Sequence, residues 1–386
     1  MKATDKPQLR QKIGVIGGGQ LAWMMAIAAK KLKISVQVLA ASDQDPAVSE
    51  AATAIIGAID DPQSVKELAA ISDVITFENE FVDLDLLETI PDAIFAPSLE
   101  NLRLLVDKFS QRIHLQQLGI ATPKFFAIEQ ETDLLEKARS LGFPVVLKAR
   151  RHGYDGKGTA VAETEVELLS AWAEMGQVPA MLEEFVNFNR ELAVMVARSA
   201  TGDCVVYPVV ETIQRNQVCH RVIAPAQIPM PIITQIRAIA QKLVNSLDAV
   251  GIFGIEFFLS RSGTISVNEV APRTHNSGHY SIEACQTSQF TQLLRVVSNR
   301  KLGKVAMTTP VAAMMNLLGY ETTDPDYAVQ REKLAELSNA HVHWYGKPES
   351  RPGRKLGHIT ILADSYGQLE NVCKQAEAIW YGNPDA

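Results

Sequence analysis

Between Lys12 and Pro97, short apolar runs alternate with stretches of helical periodicity: Ile13 to Ile16, Ser35 to Leu39 and Val74 to Phe77 against Leu21 to Leu32 and Ser64 to Ile71. Strands separated by helices pair in parallel through crossovers, so this segment is predicted to be an open α/β sheet. Residues 1–11 read as a loose arm. After Ser98 the spacing changes. A Leu-rich helix is expected from Asn101 to Leu118, ended by Gly119 and Thr122-Pro123. Strands are expected at Pro144 to Lys148, Ala180 to Glu184, Glu191 to Arg198 and Cys204 to Val210, and a long helix from Ile232 to Asp248. Gly254 to Leu259 and Thr264 to Glu269 bracket a Ser-Gly turn, as a hairpin would. A smaller unit with strands at Val311 to Leu317, His341 to Trp344 and Gly357 to Ala363 closes the chain. At 386 residues, two or three domains are expected. The boundaries read are 1–100, 101–305 and 306–386.

Charge and composition remove some functions. A net charge of −7 without a long basic run argues against a nucleic-acid partner. Cys204, Cys219, Cys285 and Cys373 are widely spaced, with no C-x-x-C pair, so neither a zinc site nor a disulfide framework is read. The polar opening Met1 to Pro7 and the lack of a long apolar run predict no membrane span and a cytoplasmic protein.

Gly17-Gly18-Gly19-Gln20-Leu21-Ala22 follows the first strand and opens the first helix, the context of a dinucleotide fingerprint. Glycines there let an anion approach the helix-terminal amides, and phosphate or carboxylate can use that seat. The acidic residue that would hold a ribose is missing after the second strand, which reads Val38-Leu39-Ala40-Ala41, with Asp43 late. An anion seat or a structural turn is therefore favoured over a nicotinamide site.

Lys148 closes an apolar strand and is followed by Gly153-Tyr154-Asp155-Gly156-Lys157-Gly158-Thr159. A cation on a rigid strand beside a glycine-rich loop suits nucleotide phosphates, although a surface hairpin explains the loop alone equally well. Glu256 and Glu269 weigh more, because each stands among apolar neighbours on one strand of the predicted hairpin. Two such carboxylates are costly to bury and repel each other, and a metal relieves both costs. Magnesium fits, since it takes oxygen ligands and completes its shell with substrate phosphates. Strand alternation that turned both toward solvent is the alternative. The polar segment Ala271 to Tyr280 follows, where Arg273 could hold an oxyanion and His275 move a proton.

With these residues in place, the chain resembles the ATP-grasp superfamily and, within it, the 5-(carboxyamino)imidazole ribonucleotide synthases. The resemblance runs over nearly the whole chain. It is carried by Gly17 to Leu21, Phe77-Glu78-Asn79-Glu80, Asp107-Lys108, Gly153 to Gly158, Asn268 to Arg273, His275 to Tyr280, Tyr345-Gly346-Lys347 and Arg351 to His358. It implies an α/β and α+β fold with a Rossmann-like pre-ATP-grasp domain, a central ATP-grasp domain and a small C-terminal domain. Relatives often carry Asn and His where Thr212 and Gln214 stand.

By that resemblance Lys108 and Lys148 meet ATP phosphates, with Gly153, Tyr154, Asp155, Gly156, Lys157, Gly158 and Thr159 as the loop over them. Glu183, Glu184, Phe185 and Val186 form the hinge at adenine, with Glu191 on the ribose and Gln214 nearby. Glu256 and Glu269 hold Mg2+, or Mn2+ in its place, beside Asn268. Tyr154, Asp155, Arg273, His275, Asn276 and Lys347 are expected around bicarbonate and the ribonucleotide. Gly19, Gln20, Leu21, Glu80, Lys347, Arg354 and Lys355 are expected to bind the latter, Arg351 adding to the basic cluster. The implied partners are 5-aminoimidazole ribonucleotide, bicarbonate and ATP, in a homodimer. A formate-dependent glycinamide ribonucleotide transformylase would share the ATP residues, whereas a dehydrogenase would leave the glutamate pair unexplained.

Overall fold

The computed structural model describes residues 9–151, 153, 158–323 and 326–382, and among these the strands form three sheets. The first holds β1 (Lys12–Ile16), β2 (Ser35–Ala40), β3 (Thr53–Ile56) and β4 (Val74–Phe77) in the order β3-β2-β1-β4. All of its pairs are parallel, as the strand–helix alternation requires. Arg10 is not loose: its guanidinium donates to Val297 O at 3.1 Å and its amide to Ser298 O at 3.2 Å.

The second sheet is antiparallel, ordered β5-β8-β6-β7, from β5 (Phe125–Ile128), β6 (Val145–Ala149), β7 (Thr159–Ala162) and β8 (Ala180–Glu184). Just before it, the single helix expected over 101–118 is two, Leu99–Val106 and Lys108–Gln117. Asp107 breaks it with an extended backbone (φ −95°, ψ 112°), and its carboxylate accepts from Ser110 N at 2.9 Å as an N-cap. The Arg150 guanidinium donates to the same carboxylate at 3.0 and 3.2 Å. Lys108 thereby opens a new helix whose start is pinned to the end of β6.

The third sheet has nine strands: β9 (Phe188–Arg198), β10 (Cys204–Val206), β11 (Val210–Arg215), β12 (Val218–Ala224), β13 (Gly251–Ser260), β14 (Ile265–Ala271), β15 (Val311–Leu318), β16 (Ala340–Trp344) and β17 (Lys355–Ala363). The order is β14-β13-β9-β11-β12-β15-β17-β16, with β10 along β9. The strand expected from Cys204 to Val210 is interrupted at Pro208, which has no N–H for the ladder, and Tyr207 turns inward to donate to Thr287 O at 3.0 Å. β12 pairs with β15, so the C-terminal strands continue the central sheet.

Alternation along β9 sorts the core. Leu192, Val194 and Val196 pack toward the helix Met230–Ser246, which presents Ile236, Ala240, Leu243 and Val244 on one face. Ala193, Met195 and Ala197 join the opposite cluster with Phe290, Leu293 and Leu294 of the helix Gln289–Val297. Met24, Met25 and Ala28 of the helix Gln20–Leu32 lie in that same cluster, which ties the first sheet to the third. At about 1.5–3 kcal/mol per fully buried aliphatic side chain, the shared cluster fixes the first sheet against the third. On the side of the third sheet away from the helix Met230–Ser246, Glu191 of β9, Glu256 of β13 and Glu269 of β14 form a charged cluster with Lys108 and Lys148.

Candidate active site

The hairpin β13–β14 carries the central pair of that cluster. Ile255, Phe257, Ile265 and Val267 point into the core, which turns Glu256 and Phe258 the other way. Glu256 pairs with Glu269 and Phe257 with Val267, so the register shifts there and Asn268 is the extra residue of a β-bulge. The bulge lets the consecutive residues Asn268 and Glu269 both reach the Glu256 side. Asn268 Nδ2 donates to Glu256 Oε2 at 3.2 Å, and Lys148 Nζ donates to Asn268 Oδ1 at 3.1 Å. Burial and the facing Glu269, with Glu191 beyond it, push Glu256 up to about 7. On Glu269 burial is outweighed by Lys108, whose Nζ lies 2.7 Å from Oε1, and the carboxyl falls to about 2.

Lys148 enters from β6. Its Nζ lies 2.7 Å from Glu183 Oε2, and Arg112 Nε donates to Glu183 Oε1 at 2.5 Å. Arg112 and Glu183 are each 2% exposed. The cost of burying Glu183 is exceeded by Lys148 and Arg112, which hold it down at about 2. Sequence reasoning missed Arg112, since a lone Arg in an amphipathic helix carries no signal of burial. Glu183, expected at an adenine hinge, thus turns its carboxylate to Lys148. Glu184 accepts from Lys124 N at 2.9 Å, and Val186 O accepts from Phe188 N at 3.0 Å. Phe185 is exposed.

Glu191 and Gln214 meet across β9 and β11: the Gln214 side chain hydrogen-bonds Glu191, whose pKa is raised by burial despite that bond. Gly153, Gly158 and Thr159 flank the loop after β6, with Ala149 N donating to Gly158 O at 2.8 Å and Thr159 paired with Lys148. Tyr154, Asp155, Gly156 and Lys157 lie outside the described residues.

Residues that follow the first sheet add to the cluster. Arg273 clamps Glu80 with Nε on Oε2 and Nη2 on Oε1, the latter at 3.1 Å. Glu78 fills the anion seat of the glycine loop from within: Gly19 N donates to Oε2 at 2.6 Å and Leu21 N to Oε1 at 3.1 Å. Gly17 has φ +117°, and a Cβ on it would lie 2.6 Å from Glu78. A dinucleotide pyrophosphate would have to compete with this carboxylate for those amides, so the loop does not carry the dehydrogenase alternative. Gln20 opens the helix behind them.

His275 Nε2 sits 3.5 Å from Glu256 Oε1, and its Nδ1 lies 2.8 Å from Ser277 Oγ. Burial, then Arg273 and Lys355, lower this imidazole to about 4. Asn276 exchanges side-chain hydrogen bonds with Asn316 of β15 at 3.0 and 2.7 Å. Lys347 Nζ lies 5.7 Å from the centre of the Tyr345 ring, and its charge acts on Glu78. Arg354 donates to Glu349 O at 3.0 Å, and Lys355 heads β17.

Among the described residues no group of three or more His, Cys, Asp or Glu could hold a metal ion. The donor set is two carboxylates and an amide, short of positive charge at Glu256. Such a set suits a hard divalent ion that draws its other oxygens from a bound phosphate.

Three family descriptions cover the chain in turn: a ribonucleotide synthetase preATP-grasp domain over residues 10–104, an ATP-grasp domain over 113–290, and a phosphoribosylaminoimidazole carboxylase C-terminal domain over 312–372. The N5-carboxyaminoimidazole ribonucleotide synthase of Synechococcus elongatus is 49% identical over 97% of this chain and 96% of its own length. Among solved structures, an N5-carboxyaminoimidazole ribonucleotide synthetase in complex with ADP superposes with a TM-score of 0.91 at 33% identity, covering 98% of this chain and 99% of that one. The Aspergillus clavatus synthase with ADP and 5-aminoimidazole ribonucleotide gives 0.89 at 31% identity, over 96% and 99%. With the Glu256–Glu269 pair at the centre of its charged cluster and likeness of this extent over 97% of its length, the chain belongs to the ATP-grasp family of N5-carboxyaminoimidazole ribonucleotide synthases.

Proposed function

We propose that this chain uses ATP to carboxylate 5-aminoimidazole ribonucleotide with bicarbonate, giving N5-carboxyaminoimidazole ribonucleotide, ADP and phosphate in purine biosynthesis. The observation that carries the reading is the convergence of Lys108, Lys148 and the Glu256–Glu269 pair in one cluster, in a chain whose relatives bear that enzyme's name. A bicarbonate oxygen attacks the terminal phosphorus of ATP, the bond to ADP breaks, and carboxyphosphate forms. The exocyclic amine of the ribonucleotide then takes the carboxyl carbon, directly or as CO2, phosphate leaves, and the nitrogen gives up a proton. Phosphoryl transfer of this kind is catalysed by positioning and charge neutralisation.

Lys108 and Lys148 hold the nucleotide phosphates, with Glu191 and Gln214 toward its ribose. Glu256 and Glu269 would hold Mg2+, which neutralises phosphate charge when bound. Arg273 and His275 line the transfer site, and Lys347, Arg354 and Lys355 answer the phosphate of the ribonucleotide. The loop at 153–159 keeps water from carboxyphosphate. A homodimer, testable by light scattering, is part of the same reading. ADP release measured with bicarbonate and 5-aminoimidazole ribonucleotide, against formate and glycinamide ribonucleotide, tests the substrate pair. Turnover only with the second pair would overturn it.

A further inference from the structure

Gln289 opens the helix Gln289–Val297 and is fully buried, a place where an uncharged polar side chain needs every partner it can find. Its Oε1 accepts from His275 N at 2.9 Å and its Nε2 donates to His275 O at 2.8 Å. One side-chain amide thus satisfies both backbone groups of His275, as an adjacent strand would. The same Nε2 lies 2.9 Å from Nδ1 of His279, which is also buried. Two glycines make room for the arrangement. A Cβ on Gly278 would stand 2.5 Å from Gln289 Oε1, and one on Gly254 would stand 2.6 Å from His275 Cβ.

Packing alone does not call for this residue. An apolar side chain of equal volume would fill the space, but it would leave the His275 N–H unpaired in the interior and its C=O held by Gly278 N alone, at 3.0 Å. What the amide fixes is the backbone of the residue whose imidazole stands 3.5 Å from Glu256, between that carboxylate and Ser277. We infer that Gln289 is a positioning residue for the reaction: by clamping the His275 backbone it sets the imidazole against the Glu256–Glu269 pair, an inference that rests on the function proposed for that pair.

Gln289→Met keeps the volume and removes the amide. In the full chain with bicarbonate, 5-aminoimidazole ribonucleotide and Mg-ATP, kcat should fall by about tenfold or more. The dissociation constant of Mg-ADP by titration calorimetry should stay within about twofold. Undiminished kcat in the folded variant, or a loss of Mg-ADP affinity as large as the loss of kcat, would overturn the inference. Should Gln289→Met not fold, Gln289→Glu retains the shape and the acceptor for His275 N while setting an acceptor against His275 O, and the same split is expected. On a His275→Ala background, Gln289→Met should cost no further rate, and a full second loss would show that Gln289 acts elsewhere. Turnover of the unsubstituted chain is measured first, so that a wrong substrate assignment is exposed before any substitution is made.

Discussion

Glu183 and Glu256 stand in the same charged cluster, linked through Lys148 and Asn268, yet their surroundings are opposite. Glu183 has Lys148 at 2.7 Å and Arg112 at 2.5 Å, enough to outweigh the cost of burial. Glu256 faces a second carboxylate; among the described residues it has the Asn268 amide at 3.2 Å and the His275 ring at 3.5 Å, and the charge of Lys108 does not offset its burial. A buried acid that comes with its own counter-charges is a brace for the residues around it. One that lacks them is where a cation from outside gains most.

The largest test of that contrast is Glu269→Gln, which should reduce ATP turnover by about a hundredfold or more while far-UV circular dichroism stays that of the folded chain. Near-normal turnover would remove this glutamate as an essential magnesium ligand. Arg112→Met should act the other way, on the fold: stripping one cation from the Glu183 brace is expected to cost about 3–5 kcal/mol in urea unfolding. Loss of activity at unchanged stability would make Arg112 more than a brace. Next in size is the ligand effect. Mg-ADP at a hundredfold its dissociation constant should stabilise the chain by about 2.7 kcal/mol, and Glu256→Gln should forfeit that rise without lowering the melting point of the apo protein. The smallest effect comes from acid. Because Glu183 is depressed to about 2, its contribution is whole above the ordinary carboxyl range and is lost as pH falls from about 4.5 toward 2. Glu183→Gln should flatten that part of the stability curve, and an unchanged slope would mean that other acids set it.

Sequence reached the Glu256–Glu269 pair because charge inside an apolar run is conspicuous on its own. The parallel first sheet was legible for a similar reason, since helical and strand periods differ over every window. Asn268 was not so readable: strict alternation puts it opposite Glu269, and only the bulge aligns the two. The break at Asp107 was hidden by leucines that keep their period across it, although Asp is a favoured N-cap and could have raised the question. Gln289 and Arg112 were silent because their importance lies in partners 14 and 71 residues away.

The pairing of β12 with β15 has a mechanical consequence. Glu256 on β13 and Lys355 at the head of β17 ride on one hydrogen-bonded plate, and no hinge can form between them without tearing ladder bonds. Among the described residues the small sheet with Lys148 and Glu183 shares no strand pairing with that plate and meets it through side chains, such as Lys148 on Asn268 at 3.1 Å, and through the link at 185–187. The enzyme is therefore built like a calliper with one fixed jaw. The plate keeps its two charged stations at constant separation, and a shift of Lys148 against them would break side-chain contacts but no ladder bond.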